Sequence, residues 1–64
     1  MHLSKAKITS AMEQAEIDSF KVLSQKCGVT RATLSYIASG KGCTLETAKK
    51  IADALGVELS QIKE

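Results

Sequence analysis

Apolar residues recur along this chain at helical spacing, but only in short bursts, and a glycine or a small polar residue closes each one. That punctuation limits the fold to several short helices packed on one another. In the first burst Ile8, Ala11, Met12 and Ala15 follow the i, i+3, i+4, i+7 stripe of an amphipathic helix. The spacing predicts helix 1 from Ser4 to Glu16, with Ile17 turning into the core. Asp18 or Ser19 stands where a side chain can cap a second helix by accepting a backbone N–H bond, after which Phe20, Leu23 and Cys27 share one face. Gly28 ends that helix, Val29 tucks inward, and Thr30 caps a third helix with Leu34, Ile37 and Ala38 on its buried side. The run from Ser39 to Gly42 breaks the third helix. Thr44 caps a fourth, in which Leu45, Ala48, Ile51, Ala52 and Leu55 are in phase, and Gly56 stops it. Val57, Leu59 and Ile62 supply a short fifth helix of one or two terminal turns docked on the core. No β-branched run with strict alternation occurs, so the reading is all-α, with five short helices in a single domain over residues 1–64.

A chain of 64 residues hides only about 60% of the surface its unfolded form exposes. It has no room for a deep cleft with supporting residues behind it, so the expectation is a binding surface and not an enzyme. No apolar run approaches the roughly 20 residues that span a bilayer, and the opening "MHLSKAKITSAMEQ" lacks the apolar core of a signal peptide. A cytoplasmic protein with no membrane partner is expected. Cys27 and Cys43 fit no metal-ligand spacing and read as free thiols, and the one histidine, His2, sits on an end expected to fray. No metal, cofactor or small-molecule ligand is indicated.

The net charge is only +2, but the charges are unevenly placed. No acidic residue occurs from Ser19 through Leu45, where Lys21, Lys26, Arg31 and Lys41 fall. Glu13, Glu16 and Asp18 precede that window, and Glu46, Asp53, Glu58 and Glu64 follow it. One basic surface is the simplest arrangement, and its natural partner is a polyanion. The third helix strengthens that reading. At about 100° per residue, with Leu34 and Ile37 inward, its outer face carries Ala32, Ser35, Tyr36 and Ser39, flanked by Arg31 and Thr33. A solvated helix face is ordinarily laced with Glu and Lys. This one is short-chained and nearly free of charge, which suits close approach to another surface.

Two short helices joined by a three-residue, glycine-containing turn describe a helix-turn-helix over residues 20 to 39. The steep crossing needs the tight turn at Gly28, the buried Val29, interlocking Leu23, Cys27, Leu34 and Ile37, and a small residue at Ser24. The segment "VLSQKCGVTRATLSYIASGKGCTLETAKKIADALGV" resembles the helix-turn-helix of phage repressors and Cro, the XRE family, and the likeness extends over residues 19 to 62. It includes the "SGK" exit from the third helix and the "ALGV" end of the fourth. Helix 1 departs from the family pattern, with Glu13 and Glu16 where arginines are usual, and Ser24 stands where alanine is common.

The resemblance implies a lambda-repressor-like DNA-binding domain in which the second helix of the motif enters the major groove. It places Arg31, Ala32, Ser35 and Tyr36 at base-reading positions, where Arg31 would pair with guanine and Ala32 would meet a thymine methyl. Ser19, Thr30, Thr33, Ser39 and Lys41 match positions that hold phosphates. Binding as a homodimer to a double-stranded operator is implied, with Val57, Glu58, Leu59 and Ile62 as the candidate dimer contact. Other readings of these residues stand beside this one. Tyr36 is alternatively half-buried core, Arg31 a solubilising charge, and Lys41 a partner for the dipole at the end of the third helix. For the whole chain the alternative is a protein-interaction module, such as an antitoxin or co-regulator domain, in which the face of Arg31, Ala32 and Tyr36 is dispensable.

Overall fold

A computed structural model describes residues 1–64. It contains α1 (Lys5–Gln14), α2 (Phe20–Cys27), α3 (Arg31–Ala38), α4 (Leu45–Leu55) and a single 3-10 turn at Leu59–Gln61. The predicted fifth helix is this one turn, so the fold is all-helical with four α-helices. The starts of all four helices follow from one local device. Ser4, Ser19, Thr30 and Thr44 each lie in extended conformation and accept a bond from the backbone N–H three residues on, at Lys7, Val22, Thr33 and Thr47. Between the two candidate caps of α2, the structure selects Ser19.

The ends are more varied. After α4, Gly56 adopts the left-handed conformation at φ 71°, letting Val57 N–H return to the Ala52 carbonyl at 3.1 Å. The end of α1 has the same hydrogen-bond pattern, with Ile17 N–H to the Met12 carbonyl at 2.8 Å and Glu16 N–H to that of Glu13 at 3.1 Å. Here the left-handed residue is Glu16, at φ 59°. A side chain there crowds its own carbonyl, a cost of about 1–2 kcal/mol that glycine avoids. The helix therefore stops at Gln14 and not at the predicted Glu16. Ala15 is exposed outside the stripe it seemed to continue, while Ile17 turns into the core as expected.

The core is a single cluster of 14 residues, all apolar, in which Leu3, Leu23, Ile37, Ile51 and Ile62 have almost no exposed surface. α2 packs against both α3 and α4, α1 against α3, and the 3-10 turn against α4. Phe20 and Cys27 are half-buried against the cluster, as their spacing predicts. Leu45 is an exception. It is in phase with Ala48, Ile51 and Leu55, yet it opens α4 where no other element covers it, and it is 51% exposed.

The N-terminus is not frayed. Leu3 forms an antiparallel bridge with Lys63, Ser4 N–H donates to the Ile62 carbonyl at 2.8 Å, and Lys7 Nζ donates to the Lys63 carbonyl at 2.9 Å. The two ends of the chain thus clasp each other and carry Leu3 and Ile62 into the core. Replacing Leu3 with alanine removes a buried side chain from that clasp, and a loss of about 2–5 kcal/mol is expected in urea denaturation. Glu16→Gly should act oppositely, raising stability by about 0.5–1 kcal/mol in the same assay by relieving the left-handed strain.

Candidate nucleic-acid interface

Gly28 sets the geometry of the junction between α2 and α3. Its φ of 76° turns the chain sharply, with its N–H bonded to the Ser24 carbonyl at 2.9 Å. Val29 is buried immediately afterwards, and Thr30 begins α3. Leu34 and Ile37 then face the core, at 3% and 1% exposure. This forces Arg31, Ala32, Ser35 and Tyr36 together onto the outer side, all four exposed. Tyr36 is 57% exposed, so the half-buried core reading of this residue is excluded.

The candidate phosphate contacts differ in what they have free. Ser19 Oγ accepts from Val22 N–H at 3.4 Å, which leaves its hydroxyl hydrogen available. Thr30 Oγ1 accepts from Thr33 N–H at 3.2 Å and lies 2.9 Å from Thr33 Oγ1, so the two hydroxyls share one bond and retain one hydrogen between them. The first-turn N–H groups of α2 and α3 have no intrahelical acceptor and point outward beside these hydroxyls, at the positive ends of the helices. Ser39 is committed differently: its hydroxyl donates to the Tyr36 carbonyl at 2.7 Å and its N–H to that of Ser35 at 3.0 Å. It meets a phosphate only by giving up the hydroxyl bond. Lys41 is exposed on the loop that leaves α3.

The basic charges here are uncommitted. The salt bridge in the chain is Lys50 to Glu46 at 3.8 Å, on the outer face of α4, and Lys21, Lys26, Arg31 and Lys41 take no part in one. Shallow hollows occur elsewhere, one lined by Lys7, Gln14, Val57 and Gln61 and the other by Glu13, Glu16 and Asp18. Neither touches α3.

Of the candidate dimer residues, Ile62 has no surface to offer. It lies fully buried because the clasp between the chain ends draws it inward. Val57 and Leu59 are half-buried and Glu58 is exposed, with Glu58 N–H donating to Gln61 Oε1 at 2.8 Å. The sequence reading placed His2 on a fraying end, and the structure overturns it. His2 Nδ1 lies 3.0 Å from the Gly40 carbonyl, and Cys43 N–H donates to the Met1 carbonyl at 2.8 Å, so residues 1 and 2 are stitched to the loop after α3. Three residues carry no periodicity, so no sequence signal marks them.

Two short helices in this arrangement, with the second exposing a charge-poor outer face, define a helix-turn-helix domain. A helix-turn-helix family model matches residues 11–62, and the chain belongs to that family, a DNA-binding domain of the Cro and phage repressor type. No curated protein and no solved structure gives a significant match. No helix is long and apolar enough to cross a membrane. The α3 cap is open to a direct check: Thr30→Ala leaves Thr33 N–H without its partner, and a loss of about 0.5–2 kcal/mol is expected in thermal or urea denaturation.

Proposed function

We propose that this domain is a sequence-specific transcriptional regulator, a repressor, that reads a double-stranded operator with α3 in the major groove. The observation that carries the reading is the outer face of α3, where Arg31, Ala32, Ser35 and Tyr36 stand together in a window without acidic residues. A carboxylate there would be repelled by phosphate, and a bulky charged face would hold the helix away from base edges. Short side chains let the backbone approach. Arg31, at the first position of α3, reaches deepest and can donate two parallel bonds to guanine O6 and N7. Ala32 supplies a methyl contact for thymine, and Ser35 and Tyr36 carry hydroxyls toward the next base pairs.

Ser19, Thr30, Thr33 and Lys41 flank this face and hold the phosphates on either side, with Ser39 joining them where its hydroxyl turns outward. These contacts set register without reading sequence. One module of this size makes few base contacts, so we assign specificity to a homodimer that spans two half-sites about one helical turn, roughly 34 Å, apart. Val57, Glu58 and Leu59 form the dimer contact in this reading. Repression follows by occupying the operator, in the cytoplasm, with no cofactor, metal or small-molecule ligand invoked.

Selection of bound duplexes from a randomised library at physiological salt, with Arg31→Ala beside the wild type, tests this reading. The wild type is expected to enrich a two-fold symmetric motif. The variant should lose preference at one base pair of each half-site, with discrimination there reduced by about 1–3 kcal/mol. Enrichment of no motif by the wild type would overturn the reading and turn attention to a protein partner.

A further inference from the structure

The loop that leaves α3 is held from outside by the first two residues. Cys43 N–H donates to the Met1 carbonyl at 2.8 Å, and the Met1 amine lies 3.3 Å from the Cys43 carbonyl. His2 is pinned on two sides: its carbonyl accepts from Glu64 N–H at 3.0 Å, and its ring Nδ1 lies 3.0 Å from the Gly40 carbonyl. The ring lies along the glycine backbone, for a Cβ on Gly42 would stand 3.7 Å from its Cε1. A methyl group at position 42 would meet the ring in ordinary van der Waals contact.

This contact determines the chemistry of the other ring nitrogen. A carbonyl oxygen only accepts, so Nδ1 carries the hydrogen in the bond to Gly40. In the neutral ring Nε2 is then a bare acceptor, and in the protonated ring it is an N–H donor bearing positive charge. His2 is exposed, and Nε2 makes no bond within the protein. Lys41, on the same loop, is exposed and unpaired.

We infer that His2 is a proton-linked phosphate contact, its protonated Nε2–H taking a DNA phosphate beside the one held by Lys41. This rests on the DNA reading above. A neutral ring would present a lone pair to a phosphate oxygen, so DNA selects the protonated ring and the complex holds more protons than the free protein. Affinity therefore rises as pH falls through the range in which an imidazole gains its charge, about pH 8 to 5. The other titratable and charged groups on the elements packed around His2 are the Met1 amine, Lys41 and Cys43 of the loop, and Lys63 and Glu64 of the C-terminal segment. They remain in a His2→Gln variant, whose amide can still donate to the Gly40 carbonyl, so their contribution is subtracted by comparison.

The probe is a short random-sequence duplex, because a phosphate contact does not depend on base sequence. From about pH 8 to 5 the wild type should gain about two- to fivefold more affinity than His2→Gln, the range of an exposed ion pair. Its logarithmic salt slope should steepen by about one unit over the same range. Thermal melting at each pH verifies that both proteins are folded. His2 is the one histidine, so its ring signal in NMR gives a second readout that needs no variant. The midpoint of its titration should move to higher pH when the duplex is added. Equal pH dependence in the two proteins, or an unmoved midpoint in a protein that binds DNA with normal salt dependence, would overturn the role of His2 and leave the DNA reading intact. Absence of salt-dependent binding at any pH would overturn both.

Discussion

Leu23, Ile37 and Ile51 come from three different helices and are buried together in one apolar cluster. The rest of the structure depends on that burial. Helices of 8 to 11 residues are marginal in isolation, because nucleation costs more than so few hydrogen bonds return. They persist because each covers the apolar side of another. The angle between α2 and α3 is a product of that mutual covering, as is the outward aim of Arg31 and Tyr36. Since no polar or charged side chain is buried, the core imposes no internal hydrogen-bond network, and its demands reduce to shape and volume.

The same construction explains how so small a domain presents a binding surface. Turning Leu34 and Ile37 inward leaves the opposite side of α3 free of structural duty. The hydroxyls that begin α2 and α3 cap their helices through an oxygen lone pair and still leave a donor for an external acceptor: the Ser19 O–H itself at α2, and at α3 the O–H of Thr33, to which the Thr30 hydroxyl donates. The positive helix ends, the lysines outside any salt bridge and Arg31 then carry one sign through a stretch of chain without acids. Long-range attraction to a polyanion follows from this coherence even at a net charge of +2.

Much of this was legible in the chain. Capping depends on residues three apart, so Thr30 and Thr44 announced their helices, and Gly28 and Gly56 announced the ends. Exposure of Tyr36 followed from the phase set by Leu34 and Ile37. Periodicity failed where a helix ran out of neighbours: Ala15 is the exposed cap of α1 just before the left-handed turn at Glu16, and Leu45 opens α4 without a partner above it. Val57, Leu59 and Ile62 suggested one or two terminal turns, and the chain makes a single 3-10 turn there. Its last carbonyls are drawn toward Ser4 and Lys7 at the other end of the molecule.

The sequence by itself determined an all-helical chain, the starts of α1, α3 and α4, the inward and outward sides of α3, and the acid-free window around it, while it left the start of α2 between Asp18 and Ser19. All of these are local, decided by spacings of a few residues and by the chemistry of individual side chains. Only the tertiary structure decided that Leu3 belongs to the core, that His2 lies on the loop after α3, and that Ile62 is buried so fully that it has nothing to present to a second subunit. Those features come from pairing between the two ends of the chain. No period or local propensity encodes such pairing, because its free energy appears only once the helices between have packed and brought the ends together.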